Sequence, residues 1–154
     1  MHQLRTMLAG IFVLALVSAA AGRTPELSQT LSADGLEIHY GVVPAAVVEA
    51  HRSADAERAM HRGVPRGAGQ HHLTVALFDS RTHQRVEQAE VWATVTELGL
   101  APNRKKLEPM RLAGEMGYGN CLSMAAPGPY RIKLEVVWPH GRASKEFEYS
   151  HPRP

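Results

Sequence analysis

YRIKLEVVW, residues 130–138, decides the fold. Tyr130, Ile132, Leu134, Val136 and Trp138 alternate with Arg131, Lys133 and Glu135, a period of two that puts the apolar set on one face of an extended strand and the charges on the other. Gly128-Pro129 before it and Pro139 to Ala143 after it are turn chemistry. Beyond the second turn, Phe147 and Tyr149 anchor a last strand. Upstream, Ala89, Val91, Ala93 and Val95 alternate with Glu90, Trp92, Thr94 and Thr96. In HHLTVALFD (71–79), His71, Leu73, Val75 and Leu77 share one face while His72, Thr74, Ala76 and Phe78 share the other, and both are largely apolar, as in a central strand. Ser80 to Gln84 form a turn, so these two strands read as a hairpin.

Further out, Leu36, Ile38 and Tyr40 alternate with Glu37, His39 and Gly41 after the punctuation of Asp34-Gly35, a half-buried strand. Leu107 to Leu112 is a short strand interrupted by Pro109, which lacks a ladder donor and so belongs at a sheet edge. Glycines 114, 117, 119 and 128 bend the chain around a short strand over 120–124. About seven short strands with turns between them predict an all-β fold, an Ig-like β-sandwich over residues 34–150. Alanines and spaced charges after Pro44 allow one short helix, which Ser53 could cap, before Gly63, Pro65, Gly67 and Gly69.

Residues 1–22 have the layout of a secretory signal: Arg5, the apolar run Met7 to Ala20, then small residues at 19–22. The run is short for a stop-transfer helix, and cleavage near Gly22 or Arg23 is expected. Residues 23–33, polar and without a period, read as a flexible lead-in. The expected location is periplasmic or secreted. The signal carries one Arg and no acid, so its removal lowers the formal charge from +2 to +1. That balance gives no footprint for nucleic acid. Cys121 is the only cysteine, so an exported chain must stand on its core without an internal disulfide. There is no nucleophile elbow, phosphate-cradling glycine loop or isolated carboxylate pair, and the chain does not read as an enzyme.

Four of the nine histidines and Met60 fall between His51 and His72, in HRSADAERAMHRGVPRGAGQHH. Imidazoles beside a thioether are the donor mix that copper favours, Cu(I) above all, whereas zinc would recruit Cys or carboxylate and iron more oxygen. Taken singly, each is an ordinary loop histidine. As a group they nominate His61, His71, His72 and Met60 as metal ligands, with His51 and the edge residue Met110 next. His71 and His72 are consecutive in a strand and must face opposite ways, so both cannot easily join one mononuclear centre. Cys121, within a strand, reads as buried and inert. Met116 and Met124 are gap-fillers or soft donors, and His39, His83, His140 and His151 read as surface residues.

Glu108-Pro109-Met110 followed by Tyr118-Gly119-Asn120 resembles the small periplasmic Ig-like proteins that accompany bacterial iron uptake and bind copper through His and Met, and more loosely the YtkA-like domains of copper handling. Met110 matches that family's methionine ligand. Gly117 stands where the family has a histidine, with Met116 beside it; His51, Met60 and His61 occupy the family's ligand-bearing stretch, and His140 the turn before the last strand. The resemblance implies a β-sandwich, a copper or iron cargo, a homodimer and a membrane metal transporter as partner. The leading expectation is an exported copper-binding carrier, chaperone or uptake accessory. The alternative is a metal-free interaction module that holds a periplasmic or membrane partner.

Overall fold

The computed structural model describes residues 29–50, 69–112 and 114–151. In chain order its elements are β1 (Gln29–Ala33), β2 (Leu36–Pro44), α1 (Ala45–Ala50), β3 (Gln70–Asp79), β4 (Glu90–Glu97), β5 (Asn103–Leu112), β6 (Glu115–Ser123), β7 (Tyr130–Trp138) and β8 (Gly141–Tyr149). Every pairing is antiparallel, in the order β1-β2-β3-β6-β5-β4-β7-β8. β5 links the two sheets of this sandwich. Its first half, Asn103 to Leu107, pairs with β4, and its second half, Glu108 to Leu112, pairs with β6. At the far seam β1 and β8 approach each other.

The alternation of β7 is visible as burial: Tyr130, Ile132, Leu134 and Val136 are enclosed, and they meet Val91, Ala93 and Val95 of β4 and Leu36, Ile38, Leu73, Val75 and Leu77 of the facing sheet. Each such aliphatic side chain contributes about 1.5–3 kcal/mol by leaving water, which lets the fold stand without a disulfide.

Three features differ from the sequence reading. Residues 29–33, read as lead-in, form β1; Leu31 and Ala33 pack against the core, and Asp34 and Gly35, both at positive φ, make the two-residue turn into β2. β3 and β4 are no hairpin. β3 lies between β2 and β6, and β4 between β5 and β7. The turn after Asp79 closes only an isolated bridge, Phe78 to Arg85, before the chain crosses to the other sheet. Finally, the strand read over 120–124 is the end of a longer β6.

The crossing is fastened from a distance. The Tyr118 hydroxyl accepts a hydrogen bond from Ala89 N at 2.9 Å and donates to Glu87 O at 2.7 Å. Arg85 donates to Met116 O at 2.7 Å while its guanidinium lies over Phe78. Where β5 changes sheets, buried Asn120 donates to Lys106 O and accepts from Cys121 N, and Lys105 Nζ donates to Cys121 O. Pro109 sits in the half of β5 that pairs with β6 alone, the edge position its missing N–H requires. No helix among the described residues is long and apolar enough to cross a membrane.

Candidate metal centre

Register places the donors. On the outer face of the β2-β3-β6-β5 sheet, His72 stands opposite Cys121, Thr74 opposite Gly119, Glu108 opposite the other side of Gly119, and Met110 opposite Gly117. The middle strand therefore offers no side chain at two successive positions on this face. A Cβ built on Gly119 would lie 2.5 Å from Met110 Sδ and 3.1 Å from His72 Cε1, with Leu73 O at 3.0 Å. Thioether and imidazole thus converge over one bare backbone position. His72, Met110 and Cys121 are all buried, 4%, 5% and 2% exposed, although they lie on the face away from the core. An imidazole nitrogen, a thioether and a thiol on one dry patch form a soft-donor set, the kind that Cu(I) accepts.

His71 faces the other way, into the end of the sandwich. Its ring packs edge-on against Tyr149 and against His151, the latter at 4.5 Å between centroids, and its Nδ1 is 3.4 Å from Gly69 O. Burial holds the His71 imidazole below the usual histidine range; the Gly69 carbonyl opposes that shift and the His151 charge adds to it. His71 and His72 therefore serve different faces, as their adjacency in a strand requires.

His51, Met60 and His61 lie outside the described residues. Their stretch leaves α1 after Ala50 and returns at Gly69, just before the two strand histidines. Met116 does not fill the place left by Gly117: it pairs with Arg111, on the face opposite Met110. Met124 is fully buried in the core. His140 lies in the β7–β8 turn, at a shallow pocket of about 590 Å³ lined also by Asp79, Arg81 and Arg85. His39 bonds Glu37 at 2.5 Å and packs edge-on against Phe78 on the outer face of β2, with exposed His83 3.9 Å from the same carboxylate. Among the described residues, no three His, Cys, Asp or Glu side chains come together to hold a metal. Two further residues enter only through the fold: Cys121, read in sequence as a buried strand thiol and found buried, stands opposite His72, and His151, read as a surface residue, is packed among aromatic rings.

No family model matches the chain, and no curated relative is found. Solved structures do resemble it. A DUF4426 family protein from Pseudomonas aeruginosa aligns at a TM-score of 0.62 with 15% identity, over 83% of this chain and 97% of that one. A copper-bound variant of FetP from uropathogenic Escherichia coli strain F11 aligns at 0.56 with 15% identity, over 80% and 95%. The copper-reconstituted P19 protein from Campylobacter jejuni aligns at 0.57 with 13% identity, over 82% and 97%. At such identities the likeness is one of fold, and that fold is the β-sandwich expected from the alternation of residues 130–138.

Proposed function

We propose that this chain is an exported, periplasmic copper-binding protein that works without turnover, as a carrier, chaperone or uptake accessory passing Cu(I) to a membrane partner. The observation that carries the reading is the convergence of Met110 Sδ and the His72 ring over Gly119, on a buried patch that also holds Cys121. Support at the level of fold comes from FetP and P19, both solved with copper. Two described donors and a neighbouring thiol suit a monovalent soft ion better than Zn(II), which takes four donors in structural sites. In this reading His51, Met60 and His61 supply further donors, and a homodimer is the functional form.

The test is an anaerobic Cu(I) titration against a chromophoric chelator. Met110→Leu conserves volume and should leave the fold intact while lowering affinity at least about tenfold, about 1.4 kcal/mol. His72→Gln should do the same, and Cys121→Ser reports whether the thiol takes part. Unchanged affinity in both Met110→Leu and His72→Gln overturns the assignment.

The rival reading, a metal-free interaction module, has its own observations. No three-residue His, Cys, Asp or Glu cluster forms among the described residues, and the β4–β5 turn presents Leu98 and Leu100 at 94% and 62% exposure. On that reading the titration finds no binding that outcompetes the chelator.

A further inference from the structure

We propose that His71 and His151 form a second metal site, separate from the Met110 face, which takes a monovalent soft ion of the Cu(I) and Ag(I) class between two imidazoles. The inference does not depend on the function proposed above. It starts from an orphan: His151 Nε2 is the one side-chain polar atom among the described residues that is buried without a hydrogen-bond partner. Burying such a nitrogen unpaired costs roughly 1–3 kcal/mol, so its place in the fold calls for a physical reason. The ring beside it is another imidazole, His71, only 3% exposed and 4.5 Å away between centroids.

The surroundings suit a ligand role. His71 Nδ1 is directed to the Gly69 carbonyl, and a metal-bound histidine commonly donates its second ring N–H to a backbone carbonyl, which fixes the tautomer and leaves Nε2 as the lone-pair nitrogen. Tyr149 and Tyr130 wall the pair, the Tyr149 ring 5.6 Å from His71 and the Tyr130 ring 5.8 Å from His151.

Charge selects the ion. The cost of moving an ion out of water rises with the square of its charge, so a divalent cation between two neutral donors and aromatic walls would be heavily penalised. Among the described residues no third His, Cys, Asp or Glu joins the pair, which falls short of the three or four protein donors of a Zn(II) site. A monovalent d10 ion accepts two nitrogens in line. With bonds of about 2 Å, the His151 ring must swing outward by about 1–2 Å from its present contact. His151 lies two residues beyond Tyr149, the last residue of β8 paired with β7, so it is outside the β7–β8 ladder that would oppose that swing.

The experiment is an anaerobic Cu(I) stoichiometry titration of the mature chain against a competing chelator, with Ag(I) as a diamagnetic probe of imidazole nitrogen resonances. His151→Phe keeps an aromatic ring packed on His71 but carries no lone pair. It should lose one bound equivalent relative to the parent while Met110→Leu retains it, and Ag(I) should move the nitrogen resonances of both His71 and His151. If His151→Phe retains every equivalent, or if the His151 resonances do not respond to Ag(I), the second site is overturned. Loss of an equivalent in Met110→Leu alone would leave the first reading standing and remove this one; loss in His151→Phe alone would do the reverse.

Discussion

At Gly119 the missing side chain does the positioning. Met110 Sδ occupies the space a Cβ would need, at 2.5 Å, and the His72 ring closes from the other side. Gly119→Ala should therefore push the end of a flexible methionine aside, while the Leu73 carbonyl, 3.0 Å from the same position, gives by a few tenths of an ångström. A strand alanine recovers roughly 0.5–1 kcal/mol of chain entropy relative to glycine, so the net change in stability should stay within about 1 kcal/mol. Cu(I) affinity should nonetheless fall about tenfold, because the thioether has moved. Chelator competition paired with urea unfolding checks this, and equal affinity would show that the sulfur is not a ligand. Asp79 supports a second prediction at this scale. Its carboxylate accepts from Thr82 N, Arg81 N and the Thr82 hydroxyl, and these bonds hold it below the usual carboxylate range. The folded chain then binds its proton less readily than the unfolded one, so the stabilisation is present above the unfolded value of about 3.9 and is lost as pH falls through the lower folded value. The difference in Tm between the parent and Asp79→Asn should accordingly be seen at pH 7 and shrink below about pH 4; a difference that persists at pH 2 would refute the linkage.

Among the elements, what is legible in sequence is what local alternation encodes. The buried face of β7, the buried face of β4 and the two-sided burial of β3 all follow from period two, because a residue's face is set by its immediate neighbours. Pairing is a different matter. A turn at 80–84 with strands on both sides suggests a hairpin, yet β3 and β4 separate, because the chain between them is held by Tyr118 of β6. No local pattern announces a partner so distant in sequence. β1 escaped notice for a related reason: its polar side chains face water, and only its docking on β2 makes Leu31 and Ala33 core residues. Tyr118→Phe tests the fastening. It deletes the hydroxyl that satisfies Ala89 N and Glu87 O while leaving the ring in the core, and should cost about 1–3 kcal/mol in urea unfolding. A loss below about 0.5 kcal/mol would mean that the crossing is secured elsewhere.

For the molecule as a whole, the candidate centre exists only when the sheet does. His72 comes from β3 and Met110 from β5, strands that never pair and meet only across the bare glycines of β6. This explains how much of the site could be read in advance: Met110 and His72 carry the right atoms and lie in recognisable strands, but their convergence is a property of strand order. Adjacency in a strand already sends His71 and His72 to opposite faces, but the companion each finds there, Met110 for one and His151 for the other, depends on strand order and on the end of the chain. It follows that an unfolded chain lacks the assembled centre and binds Cu(I) only through scattered His and Met side chains. Metal should then stabilise the native state by mass action, by about 2.7 kcal/mol at a free concentration one hundred times Kd, less whatever the unfolded chain recovers. For a domain of this size that corresponds to a rise in Tm on the order of 10 °C. Anaerobic calorimetry with and without buffered Cu(I) measures it, a competing chelator should reverse it, and Met110→Leu should remove most of it. An unchanged Tm in the parent protein under those conditions would mean that folded and unfolded chains hold copper equally well, and the centre formed by β3, β5 and β6 would have to be abandoned.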